Sequence, residues 1–377
     1  MDLALSETQQ LVRDAVRDYL ARAVPFDRVR EVERSGRHDE QLWAALHEQG
    51  WLGLALPEEA GGGGGTCTDL AILLEELSRR AVIVPVMETL AAARVIEHGA
   101  AGAKDILAAI LAGKAIVTPA LLEESDRFDD IKAAVRDGKL SGEKYFVDYG
   151  QVATHHLVAA TRDGDIELFL VDASGPGVTI EPLRSIGRTP TARVTYDGAA
   201  ATPVCGADGH RALVQLGRAL AAVQCLGCAQ QALDMTVEYV SQRVQFGQPI
   251  GAFQAVQHHC ANMATLVEAT RFLVYEAISA IDGDTATERQ IAIAKASASR
   301  TVSEVTMLAH QLHGGTGIVE EYDLHFFSLR GKERALAWGS AEECLAIVAD
   351  HVDEADDWLP MRPAAGAPEA AAAGRHE

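Results

Sequence analysis

The feature that most limits how this chain can fold is a double change in hydrophobic period. From residue 3 to about 115 apolar residues recur at helical spacing, from about 116 to 205 they alternate with period two, and from Asp208 to about 358 the helical spacing returns. That order (helical, β, helical) excludes a doubly wound sheet. No GxGxxG follows any candidate strand, so a Rossmann route to a nucleotide finds no support. The expected fold class is α+β and mostly α, in units 1–115, 116–205 and 206–360. The final stretch, 361–377, is rich in Ala, Pro and Gly with nothing to bury, and is expected to be disordered.

Local signals place the elements. Ser6-Glu-Thr-Gln9 reads as a capping box opening a helix with Leu11, Val12, Ala15, Val16 and Tyr19 on one face. Further helices are expected over Asp39–Gln49, Asp69–Arg80, Val86–Glu97 and Lys104–Ala112, with a loop through Leu56–Gly61 and a run of five glycines. Turn signals at Asp137-Gly138, Asp163-Gly164 and Asp197-Gly198 punctuate alternating runs such as Ile166–Val171 and Arg193–Tyr196, which reads as an antiparallel β region. Long helices follow at 208–243, 252–281 and 285–312, with a last one from about 332.

Charge narrows the function. With 33 basic and 54 acidic residues the net charge is −21, which argues against a nucleic-acid or anionic-membrane partner, since both need a basic face. No uninterrupted apolar run approaches the roughly 18–20 residues needed to cross a bilayer, and the first ten residues carry no basic n-region or apolar h-region. A cytoplasmic location is expected. Cys225 and Cys228 form a CxxC with no second pair to complete a zinc site, and sit in an Ala-rich helical pattern that favours packing. His258 and His259 are adjacent and cannot share a helix face, so no metal site is expected.

Two motifs carry the chemistry. Arg243-Val-Gln-Phe-Gly-Gln-Pro-Ile-Gly-Ala-Phe-Gln254 reads as a helix ending at an arginine, a Gly-Pro turn, and a second helix starting near Ala252. A cation at a helix C-terminus is favoured by the dipole and can reach an anionic ligand. Gln311-Leu-His-Gly-Gly-Thr-Gly317 contains glycines that let backbone approach a phosphate or ring closely, although Gly-Gly is also a common helix stop. Both segments resemble the most recognisable motifs of the acyl-CoA dehydrogenase family. Leu56-Pro-Glu-Glu-Ala-Gly-Gly, Glu75-Glu76-Leu77 and Glu321-Tyr-Asp-Leu-His325 also resemble their family counterparts, so the resemblance covers nearly the whole chain.

The resemblance implies a helical N-domain, a small antiparallel β-domain and a C-terminal four-helix bundle. It also implies FAD as cofactor, an acyl-CoA thioester as substrate and an electron-transfer flavoprotein as acceptor. Carried over by motif, Arg243, Gln245, Phe246, Gln254, Gln311, His313, Gly314 and Gly315 would meet the adenosine and pyrophosphate side of FAD. Arg218 would face the thioester region or simply pair with a nearby carboxylate.

The chain departs from the family where the chemistry happens. The reaction needs a carboxylate base at the α-carbon. Of its two usual positions, one is Trp338 here and the other Gly217, and neither can accept a proton. Glu342 and Glu343 follow closely, but a slip of one helical turn moves a carboxylate by roughly 5 Å, and a solvated helix face is the plainer reading. In place of the usual Thr-Glu-Pro and Gly-Ser-Asp stands Ala120-Leu-Leu-Glu-Glu-Ser-Asp126, where Glu123 alone matches. In the family each FAD lies between subunits, one supplying ring pocket and base, the other the arginine and glycine motifs. This chain keeps the donated half and has lost the receiving half. It therefore resembles subunits of the α2β2 acyl-CoA dehydrogenases that shorten steroid side chains in actinobacteria. The Leu329-Arg330-Gly-Lys332…Gly339 ending is similar to theirs. A self-sufficient flavoenzyme with an atypical base, or a scaffold without flavin, remain the alternatives.

Overall fold

The computed structural model describes residues 5–352; the expected tail lies outside the described residues. The N-terminal part is built from α1 (Glu7–Ala23), α2 (Phe26–Ser35), α3 (Glu40–Glu48), α4 (Cys67–Arg79), α5 (Val86–Glu97) and α6 (Asp105–Leu111). The Ser6–Gln9 capping box forms as expected. The buried face of α1 differs from the expected one, however. It runs through Val12, Val16, Tyr19 and Leu20, while Leu11 and Ala15 face outward. The Glu75–Glu76 pair of α4 is buried and structural. Glu75 accepts from Arg271 and Tyr275 at 2.6 and 2.7 Å, and Glu76 from Arg17 at 2.6 and 2.9 Å.

Eight strands follow: β1 (Val117–Ala120), β2 (Ala134–Arg136), β3 (Lys139–Asp148), β4 (His155–Arg162), β5 (Asp165–Asp172), β6 (Val178–Leu183), β7 (Thr191–Ala200) and β8 (Thr202–Cys205). They form one sheet in the order β6-β7-β3-β2-β4-β5-β8, with β1 also on β4. Most ladders are antiparallel, as the alternation predicts, but β1 and β2 both run parallel to β4, so the sheet is mixed. Asp137-Gly138 and Asp163-Gly164 are two-residue hairpin turns with positive φ at both positions. Asp197-Gly198 is not a turn. It lies inside β7 beside a register shift against β3, with Gly198 at φ +67°, and is therefore a bulge.

The chain then returns to helix: α7 (Ala207–Gln242), a short hairpin of β9 (Val244–Gln245) and β10 (Gln248–Pro249), α8 (Gln254–Asp282), α9 (Glu288–His313), α10 (Leu324–Leu336) and α11 (Ala341–Asp350). The single helix expected from about 332 is in fact two. Ser340 opens α11 with a capping box to Glu343, and the two residues before it, Trp338 and Gly339, adopt positive φ. By length and composition α7 could cross a membrane, but it is mostly buried as the central helix of the bundle. Cys225 and Cys228 are buried on it as free thiols. One continuous apolar cluster takes in Leu73 of α4, Phe169 of β5, Leu220 of α7 and Phe327 of α10, so the three textures of the sequence share a core.

Candidate functional site

The two sequence motifs meet at one end of the bundle. Tyr239, one turn before the end of α7, stacks on His313 at the end of α9, with ring centroids 4.3 Å apart. Its hydroxyl reaches His313 O and Thr316 Oγ1 at 3.4 Å. Arg243 is the C-cap of α7 rather than its last residue, and the link to α8 is a β-hairpin rather than a Gly-Pro turn. Phe246 and Gly247 form its loop with φ +54° and +83°, a conformation that strains a phenylalanine and suits the glycine.

The exposed surface of this end carries Arg243, Gln245, Phe246, Gln254, Gln311, Gly314 and Gly315. The Phe246 ring is 90% exposed and Arg243 has no ion-pair partner among the described residues. A Cβ added at Gly315 would meet nothing within 4 Å. The chain's own packing therefore does not require a glycine there, which points to a close approach from outside. These features fit the adenosine and pyrophosphate side of a flavin nucleotide: a free guanidinium for phosphate, an open aromatic face and bare backbone. His313 is different. It is buried, its Nδ1 donates to Ala309 O at 2.7 Å and its Nε2 accepts from the Tyr322 hydroxyl at 3.1 Å. Burial lowers its pKa, so it stays neutral and positions the turn from within.

Around the two expected base positions the space is filled by this chain's own side chains. Trp338, held at φ +62° between α10 and α11, lays its indole over Gly217 of α7 and stacks on Phe128, 6.0 Å away and nearly parallel. A Cβ at residue 217 would fall 2.1 Å from Trp338 Cε3. The two expected base positions thus converge, and one fills the space of the other. Arg218 is buried, donating from Nε to Trp338 O at 3.2 Å and from NH1 to Glu288 at 3.1 Å. Of its two expected settings the structure shows the carboxylate pair.

Beside Trp338 opens a cavity of about 450 Å³ between the β-sheet and the α10–α11 junction. Its acidic lining comprises Glu88, Asp126, Asp148, Glu333 and Glu343, against the single basic residue Arg184. Burial, with Glu343 adding its charge, raises the Asp126 carboxyl above the usual range. Arg334, buried behind the wall, is committed to Asp148 at 2.9 Å, Glu88 at 3.4 Å, Thr189 at 2.9 Å and Glu333 at 3.2 Å. Glu342 is exposed and does not line the cavity, and the Glu343 carboxylate accepts from Ser340 N at 2.6 Å. Glu123 is a structural residue. It accepts from buried Lys144 at 2.7 Å and from the amides of Lys132 and Ala133 at 2.8 and 2.9 Å. Burial, partly offset by Glu123, brings Lys144 down to about 8. An anionic diphosphate or CoA ester does not fit this acidic lining. Phe128, Tyr239 and the Arg334 network were missed in the sequence, because isolated aromatic and charged residues carry no periodic or motif signal.

Similarity to known proteins identifies the family. Residues 6–114 match the sequence profile of the acyl-CoA dehydrogenase N-terminal domain and residues 208–354 that of the C-terminal domain. The chain is 30% identical to the acyl-CoA dehydrogenase IpdE2 of Mycobacterium tuberculosis, covering 92% of this chain and 98% of that protein. Among solved structures it is similar to the Tcur3481-Tcur3483 steroid acyl-CoA dehydrogenase, with TM-score 0.88, 33% identity, and coverage of 92% and 98%. It is also similar to the ChsE4-ChsE5 complex of Mycobacterium tuberculosis, with TM-score 0.88, 28% identity, and coverage of 94% and 99%.

Proposed function

The chain belongs to the acyl-CoA dehydrogenase family of flavoprotein oxidoreductases, and from that premise we propose that it is the subunit lacking the base, which completes the FAD site of a catalytic partner. The observation that carries this reading is Trp338 lying over Gly217, which puts an indole where a carboxylate would have to stand. Two similar structures are named as pairs of different chains, which supports a heteromeric assembly with a partner subunit; we take this assembly to be α2β2 and cytoplasmic. The parts 1–115, 116–205 and 206–360 would act as the N-domain, β-domain and bundle of each subunit.

In this reading Arg243 pairs with a phosphate, Phe246 and Gln245 cover the adenosine side, and Gln254, Gln311, Gly314 and Gly315 complete the surface. His313 holds the glycine turn in place from inside. The flavin, when bound, supplies the acceptor for the hydride leaving the β-carbon of an acyl-CoA, and an electron-transfer flavoprotein would take the electrons onward. The base and the ring pocket come from the partner. A steroid-type acyl group is the substrate class that the named relatives favour.

The test is flavin content and acyl-CoA oxidation of the chain alone and co-expressed with a catalytic subunit. The chain alone should be colourless. In the complex, Arg243→Ala or Phe246→Ala should lower flavin occupancy and activity together, whereas Glu342→Gln should change neither. A chain that alone carries one flavin and oxidises acyl-CoA would overturn the reading. Asp126, the carboxylate at the cavity mouth, would then be the base to examine first.

A further inference from the structure

The cavity beside Trp338 is open, preformed and large enough for a ligand, since small-molecule pockets run from roughly 300 to 1,000 Å³. Its apolar wall is made by Leu122, Phe128, Phe146, Ile186, Leu336 and Trp338. Phe146, Ile186 and Leu336 are exposed, an arrangement that costs solubility unless something covers it. Two flat rings stacked in parallel, Phe128 and Trp338, offer an aromatic face on one side.

Charge decides what that something can be. Asp126 and Glu343 stand at the exposed mouth, while Glu88, Asp148 and Glu333 line the floor. Arg334 lies behind the floor with its donors already bonded to three carboxylates and Thr189, and exposed Arg184 is the one base in the lining. An entering anion would be desolvated against five carboxyl groups, with exposed Arg184 at the rim as the one cation in the lining to receive it.

We infer that this cavity is a binding site for an uncharged, apolar ring compound, and that it rejects flavin nucleotides and CoA esters. The inference rests on the reading that this chain's own ring pocket holds no flavin. The cavity combines the volume and aromatic wall that a flat ring needs with a lining of five acidic residues against one basic one.

The experiment is a fluorescence titration of the full chain, alone and in complex with its catalytic partner, with two probes sharing one ring system. N-phenyl-1-naphthylamine is uncharged, and its sulfonated analogue, anilinonaphthalene sulfonate, is an anion. The uncharged probe should bind saturably at one site per chain, at least about tenfold more tightly than the sulfonate, equivalent to ~1.4 kcal/mol. The double variant Asp126→Asn, Glu343→Gln should narrow that ratio. Asn tolerates the positive φ of residue 126, and Gln can still cap Ser340, so the fold is preserved. Ile186→Trp at the exposed rim, and separately Leu122→Trp, should abolish binding by filling the space.

Four results would overturn the inference: no saturable binding of the uncharged probe, a ratio unmoved by the double variant, binding that survives both filling variants, or binding lost on assembly because the partner covers the cavity. Flavin absorbance of the same samples separates the two readings. Stoichiometric flavin on the isolated chain would sink both, whereas absence of flavin together with absence of probe binding would sink this one alone.

Discussion

At Gly217 the missing side chain is a packing requirement. Trp338 Cε3 would lie 2.1 Å from any Cβ there, far inside contact distance, on a helix whose surroundings are close-packed. Gly217→Ala should destabilise the protein by ~1–3 kcal/mol through overpacking. Trp338→Ala in the same chain should recover most of that loss, because it removes the clashing ring. A thermodynamic double-mutant cycle measures this, and additive single effects would contradict the contact.

His156 supports a second prediction at this scale. It is buried at the sheet core, with Nε2–H donating to Gly150 O at 3.1 Å and Nδ1 accepting from the Tyr196 hydroxyl at 2.9 Å. Desolvation holds its pKa down to about 4, against 6.5 for an ordinary histidine. The unfolded chain therefore binds the proton first as pH falls, so the stabilisation is complete above about 6.5 and is lost toward about 4. The span corresponds to ~3 kcal/mol. Chemical denaturation between these pH values should show that slope, and His156→Gln should flatten it. A residual slope of the same sign is expected from His210, also held near 4 by burial.

At the scale of elements, local chemistry explains both what could be read and what could not. The Asp137-Gly138 and Asp163-Gly164 turns were legible because a two-residue hairpin demands positive φ from its own two residues. Asp197-Gly198 has the same dipeptide but sits opposite Ser141 of β3, so its role as a bulge depended on a distant strand. The Phe246-Gly247 loop breaks the preference deliberately: an asparagine would suit φ +54° better than a phenylalanine. Phe246→Asn should leave the melting temperature unchanged or raise it slightly, while flavin occupancy of the complex falls. A variant that loses stability and retains full flavin would show that the ring serves the fold and not a ligand.

Across the whole molecule, Arg334 is one point, with Arg330, at which all three parts of the chain are joined. From α10 of the bundle it reaches Glu88 on α5, Asp148 on β3 and Thr189 before β7. Removing one member of such a buried group leaves charges unpaired, at a cost of ~3–5 kcal/mol. Arg334→Met should therefore lower the melting temperature of the whole chain, and calorimetry should show one transition shifted rather than one part melting early. A second, separate transition would mean that the parts are held together elsewhere. The net charge of −21 belongs to this scale too, since it is concentrated in part at a cavity whose lining comes from residues far apart in sequence.

Period and spacing along the chain were enough to determine the helical, β, helical order, because caps, turns and amphipathic faces are set by residues a few positions apart. The family and the asymmetry between kept and lost motifs rested on the resemblance of short segments such as Arg243–Gln254 to known motifs. Tertiary structure alone decided that Trp338 covers Gly217, that His313 points inward while its glycines face out, and that five carboxylates share one cavity. Those facts arise where α7, the α10–α11 junction and the loops of the sheet pack together, and no local spacing encodes which distant side chains will meet there.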